Sequence, residues 1–393
     1  MYTFSNENVN LPHEENNDAN NMIYFTTNNR EYFVGDIING TVYLKLAQKI
    51  TFTDITLELM LSQFWQQQNG VSDFKNDIIC SQKIHTNVTA KNNDEARILE
   101  QGEYKYDFQF EIPKLIQPSF EYPDAYTPCY HRYTLIAKIE SQVNPSSAQR
   151  VLCLKTYPQQ FKNEELFTTS NVTDIKSYGI FTSGNCTLSA SYDNPYVKYS
   201  SSVPMKFDIN NSECTLNTYA LRVKLIRKVS GGNDKTKATF VKEDIIYEVD
   251  IPVTIGQEVK RMNHSALLRD EKLNQFNFTE LSKKYPTVKE WLMLMPTCNG
   301  SLVKCEYSVR GTLYFQQFVR YTHRPRTTLP FYVVHVSQDE LDHQERQQLE
   351  HQQMMMNSNN NSISYSNYIP ENQMMNMQGM YNQFQGNNMN MFK

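Results

Sequence analysis

The chain has 393 residues, enough for two ordinary domains and an appendage. Its 42 acidic and 38 basic residues leave a formal net charge of −4, so no global field attracts nucleic acid and any basic binding surface must be local. Hydrophobic residues at 39% support packed cores, and plentiful Tyr and Phe beside only 13 Gly favour strands.

Residues 1–20 are polar, rich in Asn and Glu and without periodicity, and read as a disordered leader. From 21 to 157 the dominant signal is alternation with period two. Tyr104, Tyr106, Phe108, Phe110 and Ile112 alternate with Lys105, Asp107, Gln109 and Glu111, which gives a strand one apolar face and one solvated face. Leu57, Leu59 and Leu61 repeat the pattern, as do Tyr133, Leu135, Ala137 and Ile139. Asn39-Gly40, Asn69-Gly70, Gln101-Gly102, Pro113 and Pro118 are read as the turns between strands. The pattern lapses over 158–177, which reads as an interdomain linker with a short helical turn around Glu164 to Phe167.

A second β region spans 178–337. Leu221, Val223, Leu225 and Val229 form one strand face, and Arg222, Lys224 and Lys228 form the other. Gly231-Gly232-Asn233-Asp234-Lys235 reads as a hairpin turn rather than a phosphate cradle. A polar stretch at 257–290 fits either a helical segment or an extended loop. Residues 338–393, rich in Asn, Gln and Met, cannot bury enough apolar area to offset their conformational entropy and read as a disordered tail.

The two β regions share an order of motifs. Thr41-Val-Tyr-Leu-Lys-Leu46 followed by Leu57-x-Leu59 is repeated as Met205-Lys-Phe-Asp-Ile209 followed by Leu221-x-Val223-x-Leu225. Tyr32-Phe-Val-Gly35 is matched to Tyr199-Ser-Ser-Ser202. Repetition at this length means duplicated domains, not a solenoid. The expected fold is therefore all-β: two tandem immunoglobulin-like β-sandwich domains, 21–157 and 178–337, with a disordered C-terminal tail.

Seven cysteines, an odd number with no CxxC pair, read as reduced cytosolic thiols. The N-terminus lacks the basic start and apolar run of a secretory signal, and no apolar run approaches membrane-spanning length. The expected location is thus cytoplasmic. No catalytic constellation, cofactor motif or metal-ligand spacing is recognisable, so no enzyme activity, cofactor or metal is expected. Cys298 and Cys305 lie seven apart with His264 and His323 elsewhere, short of the four converging ligands a structural zinc needs. Cys129 and His131 are too close in sequence to imply a nucleophile and its base. The basic stripe Arg222, Lys224 and Lys228, with Arg132 and Lys138 in the first region, has two readings: a solvated strand face, or an anion-binding surface for phosphorylated tails or acidic headgroups.

Tyr32-Phe-Val-Gly35-Asp36…Gly40-x-Val42-x-Leu44 resembles the start of an arrestin N-domain. Gly102-x-Tyr104-x-Tyr106-x-Phe108-x-Phe110-x-Ile112-Pro113, with Pro118-Ser119-Phe120-Glu121 and Tyr133-x-Leu135-x-Ala137, is similar to the hallmark of the arrestin-domain-containing proteins (α-arrestins). The resemblance implies two sandwiches side by side. It also implies an adaptor joining the cytoplasmic tails of membrane-protein cargo to endocytic or endosomal sorting or ubiquitination machinery, associated peripherally with plasma membrane or endosomes. The tail carries no Pro-Pro-x-Tyr motif, by which many α-arrestins recruit ubiquitin ligases. Two alternatives are a coat subunit resembling the arrestin-fold component of retromer, and a structural protein that assembles through its tail.

Overall fold

The alternating runs form long strands that hide one face. The computed structural model describes residues 21–29, 31–86, 97–122, 128–141, 146–156, 168–198, 201–232, 239–268 and 296–335. The expectations for the leader, the tail and the helical turn at Glu164 to Phe167 fall outside these residues, as does much of the 257–290 stretch. Among the described residues the only helix is a single 3-10 turn at Tyr321–His323, and no helix is long and apolar enough to cross a membrane.

The first sandwich contains ten strands: β1 (Asn21–Thr27), β2 (Glu31–Phe33), β3 (Ile37–Leu46), β4 (Ile50–Gln66), β5 (Ser72–Lys83), β6 (Arg97–Leu99), β7 (Gly102–Glu111), β8 (Phe120–Tyr122), β9 (Cys129–Ser141) and β10 (Ser146–Lys155). One sheet has the order β1-β3-β7 and the other β2-β10-β9-β4-β5, with β6 paired to β4 and β8 to β9. Ile38, Val42 and Leu44 of the first sheet bury against Leu57, Leu59, Leu135 and Ala137 of the second. Inward and outward residues alternate as the sequence pattern requires.

The second sandwich contains β11 (Thr168–Ser177), β12 (Phe181–Ser191), β13 (Tyr196–Lys198), β14 (Ser202–Cys214), β15 (Thr218–Gly232), β16 (Thr239–Pro252), β17 (Val259–Leu267), β18 (Cys298–Asn299), β19 (Val303–Phe315) and β20 (Arg326–Val334). Its sheets run β11-β12-β14-β17 and β13-β20-β19-β15-β16, with β18 paired to β19. With β11 and β6 set aside, this is the chain order and sheet order of the first sandwich repeated. Both units include one parallel pair, β2 with β10 and β13 with β20.

Three sequence expectations need correction. Thr168–Ser177, read as linker, is a strand paired along its length with β12. Its Thr, Ser and Asn residues face solvent at a sheet edge, and only Ile175 and Ser177 are buried, so it carries no apolar alternation. Asn39-Gly40 is not a turn but lies inside β3, with Gly40 opposite both Thr27 and Phe108. A Cβ there would sit 2.2 Å from the Thr26 carbonyl oxygen and 2.4 Å from the Phe108 ring, so the glycine permits close packing of three strands. Finally, Asp36 N donates to Phe33 O as Ser201 N does to Lys198 O, both at 3.1 Å. Ile112 N then donates to Asp36 O as Leu268 N does to Ser201 O, both at 2.9 Å. Tyr32 therefore corresponds to Val197, two residues before the sequence match at Tyr199. The polar stretch starting at 257 begins as strand β17, which closes the second sandwich against β14.

Candidate functional site

Polar residues occur in the strands where the alternation calls for apolar ones, and they collect where the two sandwiches meet. Gln63 and Trp65 continue the inward series Leu57, Leu59 and Leu61 of β4; His131 continues that of Tyr133 and Leu135 on β9. Gln63 lies directly opposite His131, and Trp65 opposite Cys129. All four are almost fully buried. Trp65, Phe120, Tyr122 and Cys129 pack into the same apolar cluster as the core of the second sandwich.

Trp65 lies against Gly231 of β15, where a Cβ would be 2.5 Å from its ring, and stacks on Phe240 of β16 with centroids 6.3 Å apart. Gln63 uses both ends of its amide. Nε2 donates to Ser301 Oγ at 2.9 Å, and Oε1 accepts from Leu302 N at 3.0 Å. Asn299 N donates to Gln117 Oε1, and Gln67 Nε2 donates to the Thr239 carbonyl. The two Gln63 bonds satisfy an amide that burial would otherwise leave unpaired, which fixes one relative placement of the two sheets.

Arg227 of β15 is also in phase with buried neighbours. It donates to Asp244 Oδ2 at 2.9 Å, and the same oxygen accepts from the Tyr122 hydroxyl at 2.9 Å. The guanidinium also lies 5.5 Å from the Tyr122 ring centroid. A buried ion pair in the second sandwich thus takes its third member from the first. Beside it, burial holds His131 neutral, lowering its pKa from 6.5 to about 4 against the opposing pull of the Pro118 carbonyl. Burial also raises the Cys305 thiol to about 12, partly offset by Arg227, and pushes Cys129 and Cys298 well above the ordinary thiol range. Cys298 and Cys305 face each other across β18 and β19. Such thiols behave as small apolar side chains. Among the described residues no group of three or more His, Cys, Asp or Glu is placed to hold a metal ion.

The five cations singled out in the sequence lie elsewhere, each beside a carboxylate. Arg222 makes two 2.7 Å bonds to Asp250 of β16, and Lys224 approaches Glu248 at 3.0 Å. Both are gathered around Glu248, which is also 3.4 Å from Arg222. Lys228 turns instead to Glu306 of β19, at 3.6 Å. On β9, Arg132 pairs with Glu121 and Lys138 with Glu58. The Asp250 bond, ahead of the nearby charges, holds the Arg222 pKa above its ordinary value, and Asp250 is correspondingly lowered.

Sequence reasoning recognised this outer stripe and passed over the seam. The available signal was Gln63, His131 and Arg227, each at a core position of its strand. No curated protein matches the chain. Residues 21–156, the whole of the first sandwich, match the family model described as Arrestin (or S-antigen), N-terminal domain. The first sandwich is therefore arrestin-like over its full length, and the second sandwich repeats its topology.

Proposed function

We propose that the protein is a non-enzymatic adaptor of the α-arrestin kind, carrying cytoplasmic tails of membrane-protein cargo to endocytic or endosomal sorting machinery. The observation that carries this reading is the seam. Two sandwiches of one topology are joined through buried Trp65, Gln63 and the Tyr122–Asp244–Arg227 group, so the pair presents its surfaces as one rigid platform. A platform of strands offers edges and charged faces for recognising extended segments.

The anion-binding reading of Arg222, Lys224 and Lys228 belongs to the same proposal. It requires an arriving phosphate to displace Asp250, Glu248 and Glu306 from their present pairs. A phosphorylated tail carries enough charge to compete, because exposed pairs contribute only about 0–1 kcal/mol. The test of the adaptor reading is to tag the full chain in its own cells, purify it under mild conditions and identify its companions. Integral membrane proteins recovered with ligase or coat components support the reading. Recovery of itself alone, or of a soluble complex unrelated to membranes, overturns it.

A further inference from the structure

The larger sheet of the first sandwich ends in a bare strand that the adaptor reading leaves unused. β5 pairs with β4 on one side and, among the described residues, with no strand on the other. Its twelve residues contain no proline to blunt the edge. Phe74 and Ile78 stand on the outer face of the sheet, opposite Phe64 and Met60, and each is more than half exposed. Lys75 and Asp77 alternate with them, opposite Gln63 and Leu61, and pair with one another at 2.7 Å. An open strand edge with exposed apolar side chains is a template for a further strand.

The sequence of β5 indicates the occupant. An edge lysine ordinarily keeps a second strand away. Phe74-Lys75-Asn76-Asp77-Ile78 is instead complementary to itself read backwards. With two copies antiparallel and Asn76 opposite Asn76, Lys75 of each copy faces Asp77 of the other, and Phe74 of each faces Ile78 of the other. Four charges then alternate in sign on one face, and four apolar side chains meet on the other. The charges also fix the register. A slip of two residues one way sets Lys75 against Lys75 and Asp73 against Asp77; a slip the other way sets Asp77 against Asp77.

Other edge strands differ. β16 takes the position of β5 in the second sandwich, but it carries Glu243, Asp244, Glu248 and Asp250 beside Lys242, so two copies repel. β17 carries Lys260 and Arg261 with no carboxylate. On β7, Lys105 and Asp107 alternate as Lys75 and Asp77 do, but Phe108 beside them is buried and unavailable to a second chain.

We propose that two copies of this chain associate through β5, joining their larger first-domain sheets into one continuous sheet across a twofold axis at Asn76. The proposal goes beyond the adaptor reading and does not depend on it, because such a dimer is a property of the purified chain alone.

The experiment is sedimentation equilibrium of the purified full chain across a dilution series, with reductant present so that half-buried Cys80 cannot link copies. Wild type is expected to show a monomer–dimer equilibrium. Lys75→Asp and Asp77→Lys, each alone, set like charges opposite and are each expected to weaken dimerisation by about tenfold or more. Mixed in equal amounts, the two variants oppose unlike charges again and are expected to form a heterodimer of near wild-type affinity. Lys75→Asp combined with Asp77→Lys in one chain is expected to dimerise with itself. Phe74→Ser combined with Ile78→Ser, at exposed positions, is expected to weaken dimerisation by a similar factor. This last variant decides the matter if Lys75→Asp fails to fold on losing its 3.2 Å bond to Ser301. A wild type that stays monomeric at every concentration overturns the proposal, as does failure of the folded charge variants to pair once mixed. Undiminished dimerisation in the Phe74→Ser, Ile78→Ser chain would place the contact elsewhere, in the Asn- and Met-rich tail for example, and overturn it equally.

Discussion

Asp244 and Asp250 stand six residues apart on one strand, and each accepts from an arginine, yet they should not matter equally. The Arg222–Asp250 pair is open to solvent, where such pairs contribute about 0–1 kcal/mol even with good geometry. The Arg227–Asp244 pair is almost closed off, and removing one member strands the other charge at a cost of about 3–5 kcal/mol. Asp244→Ala is therefore expected to lower the urea midpoint far more than Asp250→Ala. His131 supplies a pH dependence with a definite sign. The unfolded chain takes up a proton near pH 6.5, while the buried imidazole resists until about 4. Stability should fall as pH drops through that window and level off below it, by on the order of 3 kcal/mol. His131→Phe should flatten the slope in urea titrations between pH 6.5 and 4. It should not abolish it, because burial and then nearby Lys155 also hold His335 neutral, at about 3. These residues were visible in the sequence as breaks in an apolar series. What the series could not show is that the opposing surface belongs to another domain, because partners such as Gln63 and Ser301 meet only through long-range folding.

At the scale of the strand, the alternation in β4, β7 and β9 was legible because each buries one face completely. Edge strands carry no such imprint. β11 has Val172 exposed and hydroxyl residues along its face, as in the Ser170–Ser189 hydrogen bond, so its sequence resembles a loop. The opposite error occurred at Asn39-Gly40, where turn-forming residues serve as spacers between β1, β3 and β7. That difference can be measured. A turn glycine resists alanine through its left-handed backbone, whereas at Gly40 the added methyl must displace the Thr26 backbone or the Phe108 ring. Gly40→Ala should destabilise the protein by roughly 1–3 kcal/mol, the usual cost of overpacking. The check is a urea melt of the full chain; an unchanged midpoint would show that β3 relaxes freely.

The whole molecule should behave as one cooperative body over both sandwiches, because the apolar cluster of the second includes side chains of the first. Calorimetry is expected to show one transition for the two domains, and Trp65→Ala, at a cost of about 3–5 kcal/mol, should split it into two. Each sandwich also closes on itself through a parallel pairing of an early strand with its last strand, β2 with β10 and β13 with β20. A ribosome must therefore deliver about Lys155 before the first unit can shut, and about Val334 before the second can. Trp65 is synthesised long before its seats at Gly231 and Phe240 exist. During that interval the nascent chain carries a bare aromatic surface, which makes the growing polypeptide a client for whatever holds unfinished chains apart.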